Sequence, residues 1–510
     1  MTEVTMDKIV SLCKRRGFIY QGSEIYGGLA GTFDYGPFGV ELKNNVKQLW
    51  WKMFVQGRDD MYGVDAAILM NPKVWESSGH VSGFSDPFVE CLNKDCKNPR
   101  HHVDALLSSD IQDLHKQITK ELRSTGTATE LQQIMQDKYG KQFEHLDVYF
   151  LTMQGIVEKA LRFEKMVGEQ MQTFLNQFVA CPSCEEKKWG VPMRFNMMFK
   201  TQIGASNDSS SISYLRPETA GGIFVNFKNV HDSLHPKLPF GIAQIGKAFR
   251  NEIAPRDFIF RLRELEQMEI EYFVRADEWE SAFEMWRNNV HEFNAAVGIS
   301  AEKVSELEIA EGDRAHYSKR TIDFEFDFPF GRRELYGLAY RGDFDLAAHS
   351  KGSSQNLAIA DKDGEPAILP HVIEPSFGVD RTILAILTSA YTEDDLGGEV
   401  RTYLKLAPAV APIKAAVFPL LKNKPELVAK AREVYVALKK QVPQIMWDDN
   451  GNVGKRYRRQ DEIGTPVCIT IDFDTLGENP ELLDTVTVRD RDTGEQRRVH
   501  INELVGIVRA

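Results

Sequence analysis

Two arginine-bearing segments, Phe249-Arg250-Asn251-Glu252 and Gly378-Val379-Asp380-Arg381, lie far apart in a chain of 510 residues. Between them come Phe260-Arg261-Leu262-Arg263-Glu264 and the acidic pair Glu334 and Asp343. A guanidinium is charged at any working pH and offers planar, paired donors, which suits a polyphosphate. Carboxylates in the same neighbourhood suit Mg²⁺, which reaches a nucleotide through one or two acids plus the phosphates. Together these residues imply an ATP site without a phosphate-cradling glycine loop. The one look-alike for such a loop, Gly241 to Lys247, is followed by Ala248 where Mg²⁺ binding needs Ser or Thr. Its interior, Ile242-Ala243-Gln244-Ile245, reads as a strand.

The elements that must position these groups are mixed. The composition, 42% hydrophobic and 27% charged, is that of an ordinary globular chain with room for two to four domains. No run of 18 apolar residues predicts a membrane span. The first residues lack the pattern of a signal peptide, and six cysteines are too few for a disulfide framework, so a cytoplasmic location is expected. The net charge is −12, yet residues 401–510 carry 18 Lys and Arg against 15 Asp and Glu. A local basic patch matters more for phosphate binding than the whole-chain sum. The densest patch is Lys455-Arg456-Tyr457-Arg458-Arg459.

Val46, Leu49, Trp50, Met53 and Phe54 form one apolar stripe of a helix, facing either the core or a subunit interface. Ile322, Phe324, Phe326 and Phe328 alternate with acids, as in a half-buried strand. Strand-rich runs joined by turns favour an antiparallel sheet. Residues 201–213 read as a loop, and Asp104 to Phe178 as a mostly helical insertion. After an acidic, glycine-containing boundary near residues 393–400, strands at 414–417, 444–447 and 467–471 alternate with helices at 425–441 and 453–464. A hairpin follows around Asp492-Thr493-Gly494.

Arg216-Pro217-Glu218-Thr219-Ala220, Phe249-Arg250-Asn251-Glu252, the stretch from Phe260 to Glu271, and Glu374-Pro375-Ser376-Phe377-Gly378-Val379-Asp380-Arg381 occur in that order. This series resembles the class II aminoacyl-tRNA synthetases, and among them the glycyl-tRNA synthetases of the dimeric bacterial type. The likeness runs from Tyr20 to about Arg498. It implies an α+β fold: an antiparallel sheet flanked by helices over residues 1–85 and 201–395, an insertion at 86–200, and a C-terminal α/β anticodon-binding domain at 400–510. It implies ligation of glycine to tRNA(Gly) by way of an adenylate, with ATP and Mg²⁺, in a homodimer away from membranes.

By the same resemblance Arg250, Arg381 and Glu334 are the catalytic residues, with Glu334 the Mg²⁺ ligand. Asn251, Glu252, Phe260, Arg261, Arg263, Leu265, Leu335, Gly378 and Asp380 complete the nucleotide site. His102, Glu218, Glu266, Gln267, Glu269, Glu374 and Ser376 are expected around glycine. Several carboxylates about one ammonium make charge-assisted hydrogen bonds, each worth about 1.5–3 kcal/mol. Larger amino acids are excluded by clash, so no editing domain is required. Lys455, Arg456, Arg458 and Arg459 are expected on tRNA. Three positions depart from the family pattern: Gly221 replaces a Gln, Arg332 a Trp, and His102-Val103-Asp104 an Arg-x-Asp segment, near which Arg100 is a substitute.

Cys91, Cys96, Cys181 and Cys184 suit a four-thiolate zinc site if the insertion folds back on itself, with His101 and His102 in reserve; ordinary reduced thiols are the alternative. Cys13 and Cys468 read as structural.

Overall fold

The computed structural model describes residues 4–97, 99–102, 106, 172, 175–176, 179–204, 211–311, 314–315, 317–360 and 366–509. They group into two compact units. The first draws on residues 1–78, 200–250 and 256–510, and the second on 79–199 and 251–255. Most of the expected helical stretch from Asp104 to Phe178 lies outside the described residues. Among the described residues, no helix is long and apolar enough to cross a membrane.

The first unit is built on a seven-stranded sheet. Its strands are β1 (Met61–Gly63), β2 (Phe240–Phe249), β3 (Glu264–Val274), β4 (Val304–Glu308), β5 (Arg320–Phe328), β6 (Gly331–Gly342) and β7 (His371–Gly378), in the order β4-β5-β6-β7-β3-β2-β1. Only β1 and β2 pair in parallel. The alternation foreseen in β5 is present: Ile322, Phe324, Phe326 and Phe328 are buried, and the acids between them are not. The glycine-loop look-alike is the middle of β2. Gly246 is needed there for close approach, because a Cβ would come within 2.2 Å of the Arg216 guanidinium.

Six helices matter to this unit: α1 (Met6–Arg16), α2 (Pro37–Trp51), α3 (Ala220–Leu234), α4 (Trp279–Val297), α5 (Phe344–Ser353) and α6 (Val379–Ala390). Proline opens α2, where its missing N–H costs nothing. The α2 stripe faces the core. Trp50 meets Phe377 edge-on at 6.0 Å, and Phe54 stacks on Phe377 at 5.8 Å and meets Trp286 at 5.6 Å. Val46, Trp50 and Phe54 are buried, while Leu49 and Met53 are partly so. The region expected as a loop at 201–213 begins and ends as a ladder of Lys200–Gln202 with Ile212–Tyr214; residues 205–210 are outside the described set.

Residues 415–500 form a second sheet in the order Ile445–Trp447, Ala415–Pro419, Val467–Ile471, Thr485–Asp490, Gln496–His500, parallel over the first three strands and antiparallel over the rest. It carries α7 (Pro425–Gln441) and α8 (Val453–Ile463). Polar contacts fasten this domain to the helices of the first sheet. Asn45 of α2 donates to the carbonyls of Val410 (3.2 Å) and Ala411 (2.9 Å), and accepts from Gln444 at 2.8 Å. Arg401, fully buried, pairs with Asp394 at 2.6 Å and Asp461 at 3.4 Å.

In the second unit, strand Ser85–Glu90 lies between Arg100–His102 and Met193–Asn196, all antiparallel. Val89, Leu106, Leu175, Val179 and Trp189 form its small apolar core beside four cysteines.

Candidate active site

Period two along the strands decides which side chains share the open face of the sheet. On β3, Met268, Ile270 and Tyr272 point into the helical core. Gln267, Glu269 and Glu271 therefore point the other way. The register then draws a polar row across five strands. Glu269 lies opposite Gln244 of β2 and Ser376 of β7; Ser376 lies opposite Gly337 of β6, and Gly337 opposite Asp323 of β5. A Cβ on Gly337 would meet nothing within 4 Å, so there is open room above the row.

One end of this row is an acid-walled pocket. Glu269 accepts from the Thr219 backbone (3.1 Å) and hydroxyl (2.5 Å), from Ser376 at 2.8 Å and from Gln267 at 3.4 Å. Burial, then the neighbouring Glu218, push its carboxyl above the ordinary range, against the pull of those hydroxyl donors. Arg341, 1% exposed, grips Asp345 with two bonds of 2.7 Å and donates to Glu374 at 2.8 Å. Its guanidinium lies 3.8 Å over the Tyr317 ring. Burial raises Glu374 to about 8; Arg341 opposes this, and Glu269 and Glu218 add to it. A buried cluster of carboxylates with one guanidinium suits a compact cation.

The other end suits a nucleotide. The Arg381 guanidinium lies 4.5 Å over the Phe260 ring, which Phe328 and Phe330 flank edge-on at 5.2 Å each. Arg381 also reaches Glu334, at 3.1 Å from both its carboxylate and its carbonyl. Arg381 first, then Arg250 and Arg261, hold the Glu334 carboxyl below its usual range, so the three arginines share one field. Arg250 donates to the Pro217 carbonyl at 3.1 Å, and its own N–H reaches the Arg263 carbonyl at 2.9 Å. Arg263 in turn donates to Ala30 at 2.7 Å. Asp323 is pushed up to about 7 by burial and then by Glu334 and Glu325. An ionised, half-exposed Glu334 beside Asp323 is an all-oxygen donor set of the kind Mg²⁺ takes.

Not every expected residue joins these two places. Glu266 faces the helices, opposite to Glu269, and is held by Lys43 at 2.8 Å and Lys47 at 3.0 Å. Asp380 is buried there too, accepting from Tyr35 (2.6 Å) and the Glu266 backbone (2.9 Å), with Lys43 at 3.5 Å. Leu335 is in the core and Leu265 packs against it. Gly378 caps the start of α6. Asp343 is 4.0 Å from Lys319 at the start of α5, away from Glu334 in the fold. Asn251, Glu252 and His102 belong to the second unit; Asn251 donates to the Met197 carbonyl there at 2.7 Å, and the His102 side chain is outside the described residues.

The departures have local reasons. Gly221 lies under the buried Trp75, where a Cβ would come within 2.8 Å of the indole, so the tryptophan occupies the space of a larger side chain. Arg332 pairs with Asp327 at 2.7 Å across the β5–β6 hairpin. Residues missed in the sequence are Arg341, Asp345, Glu271 and Thr219. Glu271 was within reach, two positions beyond Glu269 on one strand face. Arg341 carried no such mark.

Of the four basic residues on α8, only Lys455 is exposed. Arg456 is buried and donates to the carbonyls of Pro419, Asp449 (3.2 Å) and Gly451 (2.7 Å). Arg459 grips Asp448 at 2.7 Å, and Arg458 pairs with Glu399 at 3.2 Å.

In the second unit the sulfurs of Cys91, Cys96, Cys181 and Cys184 all lie within 4.8 Å of one another. Cys91 and Cys184 are 3.6 Å apart, and Cys96 and Cys181 3.7 Å, far beyond a disulfide bond. Tetrahedral zinc with sulfurs at about 2.3 Å requires sulfur–sulfur edges of about 3.8 Å. The Glu186 backbone N–H pulls the Cys184 thiol down to about 7, while burial pushes the Cys91 thiol up to about 12.

Comparisons with known proteins agree with this geometry. Residues 199–390 match the model of the tRNA synthetase class II core domain (G, H, P, S and T), and residues 414–510 that of the anticodon binding domain. The chain is 45% identical over 531 residues to a glycine–tRNA ligase of Thermus thermophilus, covering 100% of this chain and 99% of that protein. It is 47% identical over 508 residues to one of Clostridium tetani, covering 99% and 97%. It is 45% identical over 532 residues to one of Deinococcus radiodurans, covering 100% and 99%. With likeness of this extent across both domains, the chain belongs to the glycine–tRNA ligase family of class II aminoacyl-tRNA synthetases.

Proposed function

We propose that this chain joins glycine to tRNA(Gly). It activates glycine with ATP, giving glycyl-adenylate and pyrophosphate, and then passes the glycyl group to the 3′-terminal ribose of the tRNA. The observation that carries this reading is the polar row itself: an acid-walled pocket at Glu269 and Ser376 is continuous with the Phe260, Arg381 and Glu334 cluster on one sheet face. Glu218, Glu269 and Ser376 hold the glycine ammonium, with Glu374 behind them. This leaves the carboxylate oxygen free to attack the α-phosphorus as pyrophosphate departs. Adenine takes the face of Phe260 that Arg381 covers at 4.5 Å, Arg381 moves out to lie over the base, and Arg250 and Arg263 meet the phosphates. Glu334 would hold Mg²⁺ against the phosphates, where it neutralises their charge. Positioning and charge stabilisation then do the catalytic work, with no side-chain nucleophile.

Lys455 is the α8 residue best disposed to meet tRNA. The protein acts in the cytoplasm as a homodimer. The strongly exposed Ile25 and Tyr26 (88% and 86%), with Leu29 beside them, support an apolar contact between copies. The four-cysteine cluster holds structural zinc, supported by its sulfur spacing, and metal analysis should find about one zinc per chain. Residues 1–85 with 201–395 form the catalytic domain, 86–200 the insertion and 400–510 the anticodon-binding domain.

The test is ATP–pyrophosphate exchange. Glycine should stimulate it, alanine and serine should not, and Ser376→Ala should raise the glycine KM. Equal stimulation by alanine would refute the pocket assignment.

A further inference from the structure

We propose that the empty glycine pocket stores one proton, shared between Glu271 and Glu374, and that entry of the glycine ammonium expels it to solvent. The inference rests on reading the Glu269 pocket as the glycine site. Glu271 is fully buried, and among the described residues neither of its carboxyl oxygens has a hydrogen-bond partner. The β3–β7 register, running from Glu269↔Ser376 to Tyr272↔Ile373, sets Glu271 opposite Glu374. Alternation sets it on the same face as Glu269.

The charged and titratable groups around it come from every neighbouring element. Glu269 is on β3, Glu374 on β7, Arg341 on β6 and Asp345 on α5. Glu218 precedes α3 and Tyr317 precedes β5, and both lie near Glu374 and Arg341. His349 lies one turn beyond Asp345, beside Phe224, and β2 contributes only the uncharged Gln244. Five carboxyl groups thus surround one guanidinium, and two of Arg341's arms are spent on Asp345. A buried carboxylate with neither partner nor donor does not stay ionised. Burial, and then Glu374, push Glu271 well above the ordinary range. The two acids therefore titrate as a pair.

Glycine brings the second cation. Once its ammonium is in place, ionisation of the pair is favoured: the O–H bond of one carboxylic acid breaks, the electron pair stays on the carboxylate, and the proton leaves for water. No redox partner is involved. Glycine affinity should then rise with pH up to the apparent pKa of the pair, because binding releases a proton. Glu271 is a positioning residue in this scheme, acting on glycine through Glu374 and Glu269.

The experiment follows proton release with a pH-indicator dye in weakly buffered solution at about pH 7, as glycine is added to the whole enzyme. The wild type should release on the order of one proton per glycine bound. Glu271→Gln, a neutral isostere of the protonated acid, should release clearly less, because only Glu374 then remains to give up a proton, while still supporting glycine-dependent exchange. Its glycine KM should depend on pH less steeply than that of the wild type, which falls up to about tenfold per unit. No release from a wild type that does exchange with glycine, or undiminished release from Glu271→Gln, would overturn the proposal. Failure of glycine to stimulate exchange in the wild type would overturn the pocket assignment itself.

Discussion

Asp380 and Arg381 are neighbours on α6, yet they sit in opposite surroundings, one buried against the helices and the other beside Phe260 and Glu334, and substitution should separate their effects. Asp380 lies in a buried network: Tyr35 donates to one oxygen at 2.6 Å, the Glu266 backbone to the other at 2.9 Å, and Lys43 stands 3.5 Å away. In Asp380→Asn one oxygen becomes an NH₂, so either the Tyr35 hydroxyl must turn or the Glu266 N–H loses its acceptor. A buried orphaned donor costs about 1–3 kcal/mol, and weaker bonds to a neutral amide add about 1 kcal/mol. The total is about 2–4 kcal/mol. For a catalytic domain of this size each kcal/mol lowers the melting midpoint by about 2–4 °C, so the loss should be roughly 5–15 °C. The ATP KM, measured by pyrophosphate exchange well below that midpoint, should change less than about threefold. Arg381→Ala should do the reverse. Its ion pair with the half-exposed Glu334 is worth about 0–1 kcal/mol to stability. Loss of two charge-assisted bonds to nucleotide, at about 1.5–3 kcal/mol each, lowers kcat/KM for ATP by about 10²–10⁴. The reasoning is refuted if Asp380→Asn melts like the wild type while its ATP KM rises more than about tenfold.

Other substitutions follow from the same contacts. Arg456→Ala should unfold the C-terminal domain at lower denaturant, by about 3–5 kcal/mol, because three carbonyls lose a buried donor; Lys455→Ala should leave the unfolding curve alone and raise the tRNA KM in charging assays. Gly221→Ala should cost about 1–3 kcal/mol by calorimetry, since the new methyl presses on Trp75, and combined with a smaller residue at position 75 the pair should cost less than the sum of the two changes made alone. The unliganded enzyme should lose thermal stability as pH rises between about 4.5 and about 8, because Glu374 is raised over that window and its protonated form is the one that folding favours. A melting midpoint that climbs steadily across the same window would contradict this.

Much of the fold was legible because it is written in periodicity. The alternating phenylalanines of β5 and the spaced elements after residue 414 follow from burying one face of a strand or helix, which depends on local sequence alone. The site was legible where the parity of strand positions was respected. Glu266 and Glu269 look alike in sequence, yet an odd separation on one strand puts two side chains on opposite faces. Arg456 sits in a basic run, yet with Gln460 and Ile463 it makes a buried stripe at helical spacing. Arg341 is a different matter. Its partners, Asp345 and Glu374, mean something only once β6, β7 and α5 are assembled, and no local pattern encodes that meeting.

The two strands at the heart of the pocket, β3 and β7, pair across 107 residues between Glu269 and Ser376. Long-range pairing of this kind waits for the intervening loop to close. During synthesis a nascent chain therefore has β2 and β3 side by side long before it has a place for substrate. Catalytic competence arrives late and all at once, after about three-quarters of the polypeptide has been made. Truncated products of interrupted translation would carry recognisable half-sheets but could not consume ATP.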